Sequence, residues 1–387
     1  MSFTSPRLVM FALALIAVLG GFATTACGSD DDGGGVEVIG QTPGAEPDPE
    51  ADPDPEPNTT AEPAAGEGYT PVSDVDAHAA LALDVRDIAA LLAPAAQGEA
   101  VDWTAVSDLY EGGKNSLRGD GTPRTLASIA RDETVSAQFP DGAAVYGNAS
   151  FLDAHVRAGI DGTGRGAGLS DGARRQLVEK GISAILYGKV LQELDAARGK
   201  LEQGETGDAD GAPHNVDEAW AFYAGSRGDN GTRPFALSST ARKREADFGF
   251  EGKIDAPLQA ALADAQSAAR SGDLAAFDAA AAEVEGYLNA MFYLASLKYV
   301  KSAAGDAEAA SRESHLAEGW AFFQTIRAAA AAGGADSASD VESVYSQNAE
   351  EPVSSDQINV VYAALNAEPV LNSLGVPQEL RVIEPPA

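Results

Sequence analysis

The chain has 387 residues, enough for one to three domains with a sizeable core. Its 26 Lys and Arg stand against 59 Asp and Glu, a net charge of −33, which excludes the basic stripe of a nucleic-acid surface and opposes docking on anionic lipid headgroups. A single cysteine excludes a disulfide framework or a zinc site built on several thiolates, and 44% hydrophobic but only 7% aromatic residues, many of them Ala, point to helices.

The chain starts with an address and a tether. Arg7 followed by the apolar run 8–19 reads as an export signal, because the run is too short for a stop-transfer helix. Thr24-Thr25-Ala26-Cys27 resembles the bacterial lipobox, whose cysteine is lipidated and becomes the first residue; a Thr replaces the usual Leu at position 24. An ordinary signal peptide cut near Ala26 is the alternative. Gly28 lacks the Asp that retains enteric lipoproteins in the inner membrane, which favours the outer membrane or cell surface. Residues 28–68 hold 12 acids and no Lys or Arg, and residues 46–57 alternate acid and proline. Proline blocks helix and the charges repel, so this stretch is expected to be an extended, disordered spacer. The expected division is 1–26 signal, 27–68 tether and 69–387 a helical domain.

That domain reads as an all-α bundle. Val85, Ile88, Ala89 and Leu92 mark a helix over 84–93, stopped by Pro94, and Trp103, Val106, Leu109 and Tyr110 mark another over 103–110. A long helix is predicted over 171–198, capped by Ser170 or Asp171, with Val178, Ile182, Ile185, Leu186, Val190 and Leu194 in one stripe. Asn215-Val-Asp-Glu218 is a capping-box pattern that starts the next helix, closed by Gly225. Further helices are expected over 258–270, 274–300, 308–332, 341–345 and 357–365, with a break at Ser271-Gly272-Asp273. Parts of 118–168 and 227–252 are rich in Gly, Asp, Asn and Pro and read as long loops.

An internal echo suggests two related halves, about 69–250 and 251–387. Glu218-Ala-Trp220-Ala-Phe222-Tyr223 matches Glu318-Gly-Trp320-Ala-Phe322-Phe323. His214 and His315 precede them, and before each lies a long helix with a central tyrosine, Tyr187 or Tyr293. Two of three tryptophans in one hexapeptide favour duplication over coincidence.

Several of these segments carry a family likeness. Glu179-Lys-Gly-Ile182, Asp217-Glu-Ala-Trp-Ala-Phe-Tyr-Ala-Gly-Ser226, Arg242-Lys-Arg-Glu-Ala-Asp-Phe-Gly249, Ala268-Ala-Arg-Ser-Gly-Asp273 and Glu318-Gly-Trp-Ala-Phe322 occur in an order that resembles the algal iron-assimilating, low-iron-inducible periplasmic proteins and their bacterial relatives. The likeness covers roughly 145–349. Algal members carry cysteines around these segments and this domain has none, so disulfide-dependent features are not implied. The resemblance implies extracytoplasmic iron acquisition, with iron as ligand and an envelope transporter as receiver. It does not supply a ligand set.

Ferric iron is a hard cation that prefers carboxylate and phenolate oxygen with an occasional imidazole. The candidate metal ligands are His214, Asp217 and Glu218 in one half and Glu313, His315 and Glu318 in the other. On a pseudo-twofold the two sets can face each other, as paired Glu and Glu-x-x-His do in ferritin-like bundles. Tyr187, Tyr223, Tyr293 and His155 are further candidates, and Arg242, Lys243 and Arg244 can hold an anion beside a metal. Structural readings compete: Glu218 as a capping residue, His214 in a loop, Glu313 and His315 on a solvated face, the tyrosines as core residues, and the basic run as neutraliser of local acid. No nucleophile elbow, P-loop or His-Glu-x-x-His motif occurs, so no enzyme is expected. His315-Leu-Ala-Glu318 resembles the His-x-x-Glu of imelysin-like envelope proteins, which sets a peptidase-derived protein as the rival reading. A helical scaffold that binds a partner protein is the third.

Overall fold

The computed structural model describes residues 68–228 and 232–383. The export signal, Cys27 and the acidic tether fall outside the described residues. Among those described the chain is helical, without a β-strand, and no helix is long and apolar enough to cross a membrane.

In chain order the helices are α1 (Asp76–Ala79), α2 (Leu81–Leu92), α3 (Trp103–Gly112), α4 (Leu126–Ala130), α5 (Glu133–Ser136), α6 (Gly142–Tyr146), α7 (Phe151–Asp161) and α8 (Asp171–Glu202). There follow α9 (Ala212–Ala224), α10 (Leu237–Phe248), α11 (Asp255–Ser271), α12 (Leu274–Gly305), α13 (Ala309–Gly333), α14 (Ala335–Tyr345), α15 (Ser355–Leu365) and α16 (Glu368–Leu374).

Local chemistry sets the ends of the long helices. The Ser170 hydroxyl accepts from Ala173 N at the start of α8, and Asp273 accepts from Ala276 N at the start of α12. Gly272 turns the chain between α11 and α12 in the left-handed region. Two regions expected as loops contain helices instead. Residues 118–168 hold α4 to α7, where a Thr125–Ser128 capping box and Asp132 start the short turns and Phe151, Leu152, Val156 and Ile160 seal α7 onto the core. Residues 227–252 hold α10, whose Leu237, Ala241 and Arg244 are buried. Their Gly, Asp and Pro content marks the boundaries between short helices, not one open loop.

Five helices close a ring. α8 packs on α9 and on α13; α13 packs on α12, α12 on α11, and α11 returns to α9. α7 lies against α8, while α14 and α16 lie against α13 and α15 against α12. The two 32-residue helices are buried on more than a stripe: every residue of α12 from 288 to 297 is buried. A helix walled in on all sides needs apolar residues all round, so its sequence shows little amphipathic pattern. Asn289 fastens this centre: Tyr187 donates to its Oδ1 at 2.9 Å, and its Nδ2 donates to Leu374 O at 2.9 Å. Gly319 lets α14 approach α13, since a Cβ there would lie inside the Tyr345 ring.

Candidate functional site

The site forms where the segment before α2 is strapped to α9. Helix α9 begins at Ala212, with Pro213 in its first turn, three residues earlier than the capping pattern predicts. Asn215 therefore lies inside the helix, and Glu218 is not the capping residue. Its neighbour Asp217, fully buried, fastens the strap by accepting from Tyr69 OH (2.6 Å), Val72 N (2.9 Å), Ser73 N (2.8 Å), Ser73 Oγ (2.7 Å) and Gln266 Nε2 (2.7 Å). Five donors on one carboxylate leave it no capacity for a metal. Tyr69 also stacks on Trp220, with ring centroids 5.3 Å apart.

The strap carries His78, on α1, to the half-buried side of α9. There His78 Nε2 lies 2.9 Å from Glu218 Oε1, and His214 Nε2 lies 3.1 Å from the same oxygen. The hydrogen bond behind the His214 ring fixes its tautomer. Ser73 has one hydroxyl proton and gives it to Asp217, so His214 Nδ1, 2.8 Å from Ser73 Oγ, must donate. A neutral His214 then presents a lone pair at Nε2 to Glu218. On His78 the donor-only guanidinium of Arg124 stands 2.6 Å from Nε2, so that nitrogen also carries a lone pair, while Nδ1 is buried without a hydrogen-bond partner. His78 Nε2 and His214 Nε2 thus both approach one carboxylate oxygen, with the single lone pair of His78 Nε2 engaged by Arg124. They repel one another unless a proton or a cation lies between them. Their 2.9–3.1 Å spacing is also that of neighbouring donor atoms set at right angles about a metal, about 3 Å for bonds of roughly 2.1 Å.

Charges surround the cluster. Glu193 of α8 accepts from Asn215 Nδ2 at 2.7 Å and pairs with Lys189 at 2.5 Å. Burial raises the Glu193 carboxyl, against Lys189 and with help from Glu218. Burial would raise Glu218 as well, but its contacts with His78, Glu193 and His214, effective when protons lie between the rings and the carboxylate, hold it below the usual carboxylate range. Among the described residues no group of three or more His, Cys, Asp or Glu side chains is placed so that it could hold a metal ion. Here the position of the cation on His78 is taken by Arg124.

The other predicted ligands are dispersed. Glu318, buried on α13, pairs with Lys180 at 3.1 Å. Lys180 lies 13 residues from Glu193 along α8, about 20 Å at 1.5 Å per residue, so the two expected sets do not face each other. His315 gives its Nδ1 to Asp306 at 2.8 Å; burial opposes its charge, yet the Asp306 carboxylate prevails and raises its pKa. Glu313 accepts from Ser170 N at 3.0 Å. Tyr223 donates to Asp255, Tyr187 to Asn289 and Tyr293 to Asn366, and burial pushes all three hydroxyls up, Tyr293 to about 12. His155 packs among Tyr146, Phe151 and Trp320, and burial depresses it to about 4.

The basic run does not converge on an anion either. Arg242 pairs with Asp255 at 3.1 Å and Arg244 with Asp247 at 2.7 Å. Lys243 lines a cavity of about 110 Å³ between α8, α10 and α13, together with Glu318, Lys180, Tyr299 and Phe322. Sequence reasoning found His214 and Glu218 and missed His78, Glu193, Lys189 and Arg124. Lys189 and Glu193 were legible as an i, i+4 pair. His78 had only its rarity to mark it, as one of four histidines.

No curated protein matches the chain, and no solved structure does. Residues 58–378, nearly the whole described region, match the low iron-inducible periplasmic proteins. With that match spanning the closed helical ring and the His78–His214–Glu218 cluster, the chain belongs to the low iron-inducible periplasmic protein family.

Proposed function

We propose that this chain is an exported cell-envelope lipoprotein that binds iron through His78, His214 and Glu218 and passes it to an envelope transporter. The observation that carries the reading is the approach of two imidazole nitrogens, one of them tautomer-fixed by Ser73, to one carboxylate oxygen. Family membership supports iron as the cargo. Cys27 as lipid anchor and residues 28–68 as spacer rest on the sequence pattern. The two-half origin rests on the repeated Glu-x-Trp-Ala-Phe segments and on the equal length of α8 and α12. Asp217 now serves the site by holding the strap, and Glu313, His315 and Glu318 serve the packing of α13.

The test is metal retention. The purified protein is loaded with iron from a weak chelator, desalted, and its metal measured. One iron per chain is expected for the wild type and none for Glu218→Gln, which keeps the shape and removes the charge. Equal retention by wild type and Glu218→Gln sinks the assignment of the site.

A further inference from the structure

We propose that the cavity between α8, α10 and α13 binds a small α-amino acid as a zwitterion, its ammonium at Glu318 and its carboxylate at Lys243 and the start of α10. This site stands apart from the His78 cluster: Lys180, in its wall, lies about 20 Å along α8 from Glu193 at 1.5 Å per residue.

The deep end of the cavity is an acceptor. Glu318 is 1% exposed, and neither of its carboxylate oxygens accepts a hydrogen bond. Its ion pair with Lys180, 3.1 Å from Oε1, supplies charge without hydrogen-bond geometry. A buried carboxylate left without a donor is costly, and a charged N–H donor brought in by a ligand removes that cost.

The mouth is of the opposite sign. Ser239, Thr240 and Lys243 line the cavity from one face of α10, and Lys243 is exposed. Helix α10 begins at Leu237 with no side-chain cap, and residues 234–237 line the same cavity. A helix start without a side-chain cap offers backbone N–H groups and the positive end of its dipole to a carboxylate. Arg242 is held by Asp255 and Arg244 by Asp247, so the basic run as a whole gathers no anion, and Lys243 serves only one end of a ligand.

The arrangement of charge decides for a zwitterion. A simple anion in the cavity meets the Glu318 carboxylate, and a simple amine meets Lys180 and Lys243. A molecule with an ammonium and a carboxylate on one carbon finds a partner for each and adds no net charge to the site. Volume limits its size. A cavity of about 150 Å³ takes up benzene, so one of about 110 Å³ with an open mouth suits roughly five or six non-hydrogen atoms, the size of glycine or alanine. Ile182, Leu186 and Phe322 close off the space that a longer side chain would need.

The test is equilibrium dialysis of the purified full chain against radiolabelled L-alanine, with glycine, L-leucine, propionate and ethylamine as unlabelled competitors. One alanine per chain is expected, displaced by glycine. Leucine, which is too long, and propionate and ethylamine, which each lack one charge, are expected to compete at least about tenfold less well. Lys243→Met, at an exposed position, and Glu318→Gln, which keeps the shape, are each expected to weaken alanine binding at least about tenfold. Thermal unfolding followed by circular dichroism checks that each variant is folded, and Lys243→Met carries the test alone if Glu318→Gln is not. Absence of alanine binding to the wild type overturns the proposal, and so does equal binding by Lys243→Met. Propionate bound as tightly as alanine overturns it as well, since the cavity would then be a plain anion site.

Discussion

Asp217 precedes the candidate ligand Glu218 by one residue and shows how a carboxylate can shape a candidate site without being one of its ligands. Its hydrogen bond to Ser73 spends the only hydroxyl proton there, which obliges His214 to donate from Nδ1. Ser73 is thus a positioning residue, and its effect has a spectroscopic signature independent of metal. In the metal-free protein at neutral or higher pH, nitrogen NMR should show His214 with its proton on Nδ1. Ser73→Ala should move that proton toward Nε2, where it can bond Glu218, and Ser73→Thr should restore it. An unchanged tautomer in Ser73→Ala would remove the argument that the strap prepares the ring. At this scale the sequence was half legible. His214 and Glu218 share one helix turn and were visible at once. His78 meets them only because a buried carboxylate ties down a segment more than a hundred residues away, and no local pattern encodes that.

Helices show a similar division between what spacing reveals and what packing decides. The long α8, α12 and α13 were legible because each runs 25 residues or more without a proline and is rich in Ala and other apolar residues, with Ser170 and Asp273 capping α8 and α12. The short α4 to α6 were not, because four- or five-residue turns gain their stability from the core and not from propensity. Helix α7 carries the consequence in one residue. His155 is enclosed by Tyr146, Phe151 and Trp320, and burial lowers its pKa to about 4, against 6.5 for the free ring. Above pH 6.5 neither the folded nor the unfolded chain holds a proton on this ring. Between about 6.5 and 4 the unfolded chain takes up the proton and the folded chain does not, so stability falls as the pH falls. Below about 4 both are protonated and the loss is complete, at roughly 3 kcal/mol. His155→Gln should therefore show a smaller drop in urea-unfolding free energy between pH 7 and pH 4.5 than the wild type, by about 2–3 kcal/mol. Equal drops in both proteins would show that the ring already accepts a proton in the fold.

Across the whole molecule, 59 acids against 26 bases make an atmosphere of counter-ions unavoidable, and any cation added to this protein will be enriched near it. Such enrichment imitates binding, so the site must be separated from it. Salt does this, because the two kinds of association respond to it differently. The Debye length shrinks from about 10 Å at 0.1 M to about 3 Å at 1 M, which disperses a diffuse atmosphere. An ion bonded at about 2 Å to two imidazoles and a carboxylate lies inside even the shorter length and exchanges little with sodium. After loading with iron and desalting in 1 M sodium chloride, the wild type should keep one ion per chain, and the Glu218→Gln variant, which has nearly the same net charge, should keep none. Loss from the wild type as well would mean that acidity alone had held the metal. The same salt should raise the melting temperature, since it screens self-repulsion more than it weakens exposed ion pairs that contribute little. The fold and the site thus call on the same acidic surface in opposite senses: it gathers cations at low salt and strains the closed ring, while the specific contact at Glu218 is expected to persist when that field is screened.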